Sequence, residues 1–184
     1  VTLSGADLRG VDLPDATLSN ADLSGAILTG ADLSDSNLRG ANLSNATLAG
    51  ANLAFTDLSN ANLRDTDLFS VDLSDANLSD ADLTFADLTF ADLTFADLSG
   101  ADLFGGDLSS AVLSDANLSG TCRGQAMTDL RGSDFSSDTD LSSANLRNAN
   151  LFGFDLRGVN LCAVDLSAAN LSQADLSRAS LPNA

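Results

Sequence analysis

A leucine returns at every fifth position from Leu3 to Leu118 without a slip, dividing residues 1–120 into 24 quintets with Leu in third place. A five-residue period fits neither a long α-helix, whose faces repeat every 3.6 residues, nor a long strand, which alternates every two. It fits a short extended segment, a turn, and another short segment, repeated. Ala usually stands two places before the Leu, Asp or Asn one place before, and Ser, Thr, Arg, Gly, Asp or Phe after, so the consensus is A-(D/N)-L-x-x. Side chains alternate along an extended segment. If Leu points inward, the Ala two before it does too, and the Asp or Asn between them points out. The last two residues of each quintet turn the corner.

Burying one Leu is worth roughly 1.5–3 kcal/mol, and no single turn of such a coil buries its own. Stability must therefore come from stacked neighbours, about 4.8 Å apart, whose backbone groups pair above and below. A small residue two places before Leu reads as steric, since a larger one competes with Leu for a narrow bore. Val11, Val71, Val159, Val164, Thr56, Thr66 and Phe154 depart from it, Phe154 most of all.

Composition limits the chemistry. Lys, His, Glu, Trp and Tyr are absent, and 26 Asp oppose 8 Arg for a net charge of −18. Without His or Lys there is no base to activate Ser, Thr or Cys. An outward Asp beside each Leu lacks the burial that tunes a catalytic carboxyl. We therefore expect no enzyme, no cofactor and no metal site. Calcium takes six to eight converging oxygens, whereas these carboxylates fan outward. An ice-binding wall needs stacked Thr, but Thr84, Thr89 and Thr94 fall on successive sides. The acidic surface disfavours direct nucleic-acid or membrane contact and favours a basic protein partner. No apolar run approaches the ~20 residues that span a bilayer, and no leader pattern opens the chain, so a cytoplasmic site is favoured. No linker divides the chain, so one domain over residues 1–184 is expected. Cys122 and Cys162 fall in different coils and are expected to be free thiols.

The beat fails once. After Leu118 the next clear centre, Leu130, comes two residues late, and after Phe135 the next, Leu141, comes one late; from Leu141 to Leu181 it is regular again. Residues 121–140 are expected to hold an irregular insertion, either a kink or a protruding binding loop with Arg123 and Met127 as contact residues.

Runs such as Ala81-Asp82-Leu83-Thr84-Phe85-Ala86-Asp87-Leu88 carry a resemblance to the pentapeptide-repeat family over nearly the whole chain. The resemblance implies an all-β, right-handed quadrilateral β-helix of about nine coils, four quintets to a coil, with inward central Leu. Its best-understood branch mimics DNA and binds type II topoisomerases such as gyrase. That branch more often centres its repeats on Phe and ends in a dimerising helix, whereas Leu centres nearly every quintet here.

Dealing quintets to four sides in rotation gives a surface map of residues 1–120. The third side stands out. Its pre-Leu column reads Asp12, Asp32, Asn52, Asp72, Asp92, Val112, and its corner reads Asp15, Asp35, Phe55, Asp75, Phe95, Asp115. That side holds eight Asp and no Arg, which suits a docking strip for a basic surface. Phe85, Phe90 and Phe95 take the last position of three consecutive quintets, forming a girdle at three corners of one coil. Outward aromatics in a cluster mark interaction sites. The alternative is that each ring merely packs on the next coil. The first hypothesis is therefore a non-enzymatic scaffold presenting an acidic wall and a Phe girdle to a protein. A second is DNA mimicry toward a topoisomerase. Nine coils span ~43 Å and carry one net charge per ~2.4 Å, against one per ~1.7 Å for DNA. A third is a rod assembling end to end, the alternative to a monomer.

Overall fold

The computed structural model describes residues 1–121, 139, 141, 142, 144, 146, 149, 151–159, 161 and 164–184. Within them the second residue of each quintet bridges in parallel to the residue twenty further on, from Thr2↔Asp22 to Asp97↔Asn117, and again at Asp155↔Asp175. Twenty residues thus close one coil of four sides. We number coils 1–6 as residues 1–20, 21–40, 41–60, 61–80, 81–100 and 101–120, and the four walls in chain order within each.

One quintet shows how every backbone donor is used. In Ala61–Asp65, the Asn62 N–H donates down to Ala41 O (2.9 Å), while Leu63 and Asp65 donate up to Asp82 O (2.7 Å) and Thr84 O (2.9 Å). Ala61 N–H closes the preceding corner on Leu58 O (3.0 Å). The fifth donor, Arg64 N–H, goes to the Asn62 side-chain Oδ1 (3.1 Å). The Asp or Asn at second position is therefore part of the wall. It is an Asx turn that satisfies the one N–H the ladder leaves over. Counting it only as outward charge, as the sequence reading does, misses this role. The same contact recurs at Ser24, Ala54, Ser79 and Ser119, whichever of Asp or Asn supplies the oxygen.

Nearly every described corner carries the bond from the first-position N–H back to the Leu carbonyl, with positive φ at the fifth position, which is the signature of a type II turn. Gly, Asn and Asp fill most corners because they tolerate the left-handed region. Pro14 and Pro182 stand just before the left-handed residues Asp15 (φ 57°) and Asn183 (φ 61°), where their fixed φ suits the turn.

The leucines line one bore. From Leu23 to Leu118 every central Leu is at most 2% exposed, and the first-position Ala are buried beside them. Val71, Val159, Val164 and even Phe154 turn inward as well. Thr56 and Thr66 keep their hydroxyls in the bore by donating to Leu33 O (2.9 Å) and Leu43 O (3.1 Å), 23 residues back. Thr139 makes the same bond to Leu113 O, 26 residues back. Likewise Gly120 N–H reaches Ser142 O, where Gly5 reaches Ser24 O. Both comparisons put the later wall three residues behind the earlier beat, in the same register. Where those three residues go, and the expectations for Cys122, Arg123, Met127 and Cys162, lie outside the described residues.

Candidate functional site

Positions two, four and five of each quintet face away from the bore, and the acidic and aromatic residues predicted for the third wall and the girdle stand at them. On the third wall Asp12 and Asp92 are exposed, while Asp32 and Asp72 are half-buried. Asp32 accepts the Ser34 N–H (3.1 Å), the Ser34 hydroxyl (2.8 Å) and the Asn52 amide (3.0 Å). Those donors, the Ser34 N–H first, hold its carboxyl below the usual carboxylate range. Asp72 and Asp92 accept from Ser74 and Thr94 in the same way. Asp12 differs, because Pro14 offers no N–H to it. At the third corner Asp15, Asp35, Asp75 and Asp115 all sit in the left-handed region.

The stripe does not continue as bare charge. In the later coils the same wall carries Arg157, which pairs with Asp155 (2.5 Å) and approaches Asp175 (3.9 Å). Both carboxyls are lowered, Asp155 chiefly by the Arg157 side chain and Asp175 chiefly by the Ser177 N–H. In those later coils the charge of the third wall is therefore partly offset by an arginine.

The phenylalanines occupy costly positions. Phe55, Phe85, Phe90 and Phe95 have φ of 59–60°, where a bulky L-residue costs roughly 1–2 kcal/mol. They recover little of this from the core, being 59%, 48%, 60% and 58% exposed. Two are partly repaid by neighbours. Phe85 meets Phe104 edge to face at 5.4 Å, and Phe69 meets Phe90 at 5.7 Å. The Arg64 guanidinium lies 5.4 Å from the Phe85 ring centre, a cation–π contact from the coil below. The Phe85 ring also lies over Gly105, where a Cβ would stand 2.4 Å from it. Stacking on the adjacent coil and outward display thus coexist at Phe85 and Phe90, while Phe55 and Phe95 are in no ring pair among the described residues.

A further group escaped the sequence map, which singled out the third side alone. Over coils 4–6 the second-wall column holds three successive carboxylates, Asp67, Asp87 and Asp107. The aromatic pairs stand at the two corners of this wall in the same coils. Tabulating every column by wall and coil would have revealed the coincidence.

Among the described residues no helix is long and apolar enough to cross a membrane. A family model described as Pentapeptide repeats matches in 8 copies over residues 2–40, 26–65, 66–105, 96–122 and 144–183. Among solved structures, HetL, a pentapeptide repeat protein involved in heterocyst differentiation regulation in Nostoc sp. strain PCC 7120, is 35% identical, with 99% of this chain and 83% of HetL covered and a TM-score of 0.48. A trypsin-treated QnrB1, a plasmid-mediated fluoroquinolone resistance protein, is 23% identical, with coverage of 100% and 92% and a TM-score of 0.74. No curated protein sequence matches the chain.

Proposed function

From the premise that this chain belongs to the pentapeptide-repeat family, with its right-handed four-sided β-helix, we propose that it is a non-enzymatic scaffold that binds a protein partner through its corner phenylalanines. The observation that carries this is the set of four Phe in left-handed corners, each about half exposed or more. Strain that the fold does not need points to use. Gly, Asn, Asp or Ser would fill those corners at lower cost, as at Ser70 and Ser110. The exposed rings supply the desolvated contact, and the third wall, with Asp12, Asp15, Asp32, Asp35, Asp72, Asp75, Asp92 and Asp115, supplies an acidic field that steers a basic partner in.

Replacing Phe85, Phe90 and Phe95 together by Ser is the test. Capture of the partner from extract should fall to background while the β-sheet circular dichroism is kept, since Ser already serves at two corners. Undiminished capture would remove the girdle from consideration.

The net charge of −18 favours DNA mimicry as a second reading. It predicts inhibition of gyrase supercoiling that weakens as salt rises. No inhibition at low salt ends it.

A further inference from the structure

We propose that the second wall, over coils 4–6, is the seat of a basic amphipathic helix from the partner protein. This rests on the reading that the girdle binds a protein, and it names where the contact falls and what chemistry it takes.

The carrier is an exposed aromatic frame. One corner of the wall displays the Phe85–Phe104 pair and the opposite corner the Phe69–Phe90 pair, each spanning two adjacent coils. Phe69, Phe85 and Phe90 are 45–60% exposed, so the frame is open to a partner's apolar side chains. Between the two pairs runs the column Asp67, Asp87, Asp107. None of the three is paired with an arginine among the described residues. Asp67 and Asp107 each accept a single backbone N–H, from Phe69 and Ser109, so most of their acceptor capacity faces outward. Lower on the same wall the column reads Thr47, Ile27 and Asp7, and Asp7 is paired with Arg9 (2.6 Å), so the carboxylates without an arginine stand at the height of the rings. An apolar frame around a bare acidic line is complementary to a segment with basic residues in one row and apolar residues on both flanks. The chain contains a small version of that contact in the Arg64 guanidinium over Phe85.

Spacing selects the helix. Coils about 4.8 Å apart place the three carboxylates at roughly 0, 4.8 and 9.6 Å along the axis. Helical residues at i, i+3 and i+7 rise to about 0, 4.5 and 10.5 Å. Alternate residues of an extended strand would reach about 13 Å and drift out of register by the third. A helix lying along the wall also presents its flanking side chains to both corners at once.

The test uses the full chain and a fluorescein-labelled, Ala-rich peptide of about 16 residues, long enough to hold helix. It carries Arg at i, i+3 and i+7 with Leu on either flank, and a control isomer carries Arg at i, i+2 and i+4. Anisotropy in about 0.15 M salt should show the helical register binding about tenfold tighter than the isomer. Asp67→Asn, Asp87→Asn and Asp107→Asn together should weaken it by about tenfold or more, and so should Phe85→Ser with Phe90→Ser. Asn keeps the Asx turn, as at Asn42 and Asn62, so the wall survives the change. The matched triple on the third wall, Asp12→Asn, Asp32→Asn and Asp72→Asn, should cost less than about threefold, the effect of lost steering. Equal losses from the two triples, or a loss only from the third, would overturn the second-wall seat. So would equal binding of the two peptides. In each of these cases the girdle reading stands if the triple Phe→Ser change still abolishes partner capture.

Discussion

Replacing Leu63 by Ala is expected to lower stability by about 2–5 kcal/mol, the cost of an unfilled cavity at a fully buried site. Leu63 lies in coil 4, with Leu43 below it and Leu83 above it on the same wall, all 0% exposed. Because a solenoid coil touches only its two neighbours, one truncation weakens both interfaces, and no distant packing compensates. Leu3, in the first coil, is only half-buried. Its truncation should cost distinctly less. Guanidinium unfolding followed by circular dichroism measures both, as a fall in midpoint at constant slope. Equal losses at Leu3 and Leu63 would contradict a shared bore.

The second large effect falls on a residue that propensity rules would place harmlessly on the surface. Asp57 Oδ1 accepts the Ser59 N–H at 3.0 Å, and Ser59 is only 5% exposed. Asp57→Ala leaves that buried donor without a partner, which costs about 1–3 kcal/mol. Asp57→Asn keeps the acceptor and should fall within about 0.5 kcal/mol of the parent, as surface changes usually do. The same unfolding measurement separates the two substitutions. If Ala and Asn prove alike, the Asx turn contributes nothing, and the Asp/Asn rule of the repeat needs another cause.

The inward Leu and Ala and the outward second position were legible because a period of five leaves few ways to bury one face. Closure at four quintets came from family resemblance and not from the period, which would also suit three or five. The corner was legible too, though not that its fifth residue adopts φ near 60° even when it is Phe. Sequence reading treated Asp82 and Asn62 alike as exterior and so saw charge but not the hydrogen bond that both provide to position four. Thr56 and Thr66 looked like departures from a steric rule. They fit because a carbonyl three residues and one coil back accepts the hydroxyl's hydrogen bond. The girdle was foreseen at Phe85, Phe90 and Phe95, whereas the pairing of Phe85 with Phe104 and of Phe69 with Phe90 required knowing which way each ring leans between coils.

The ladder bond from Gly120 to Ser142 and the hydroxyl bond from Thr139 to Leu113 show the later coils in phase with the earlier ones despite three surplus residues. Such a rod converts chain length into angle. Surplus that returns to the same side is silent. One whole extra quintet would instead turn everything beyond it by a quarter revolution, carrying Arg157 and its aspartates from above one face to above the next. Alignment of features along the axis is thus a counting property, able to change by indel without altering any single side chain.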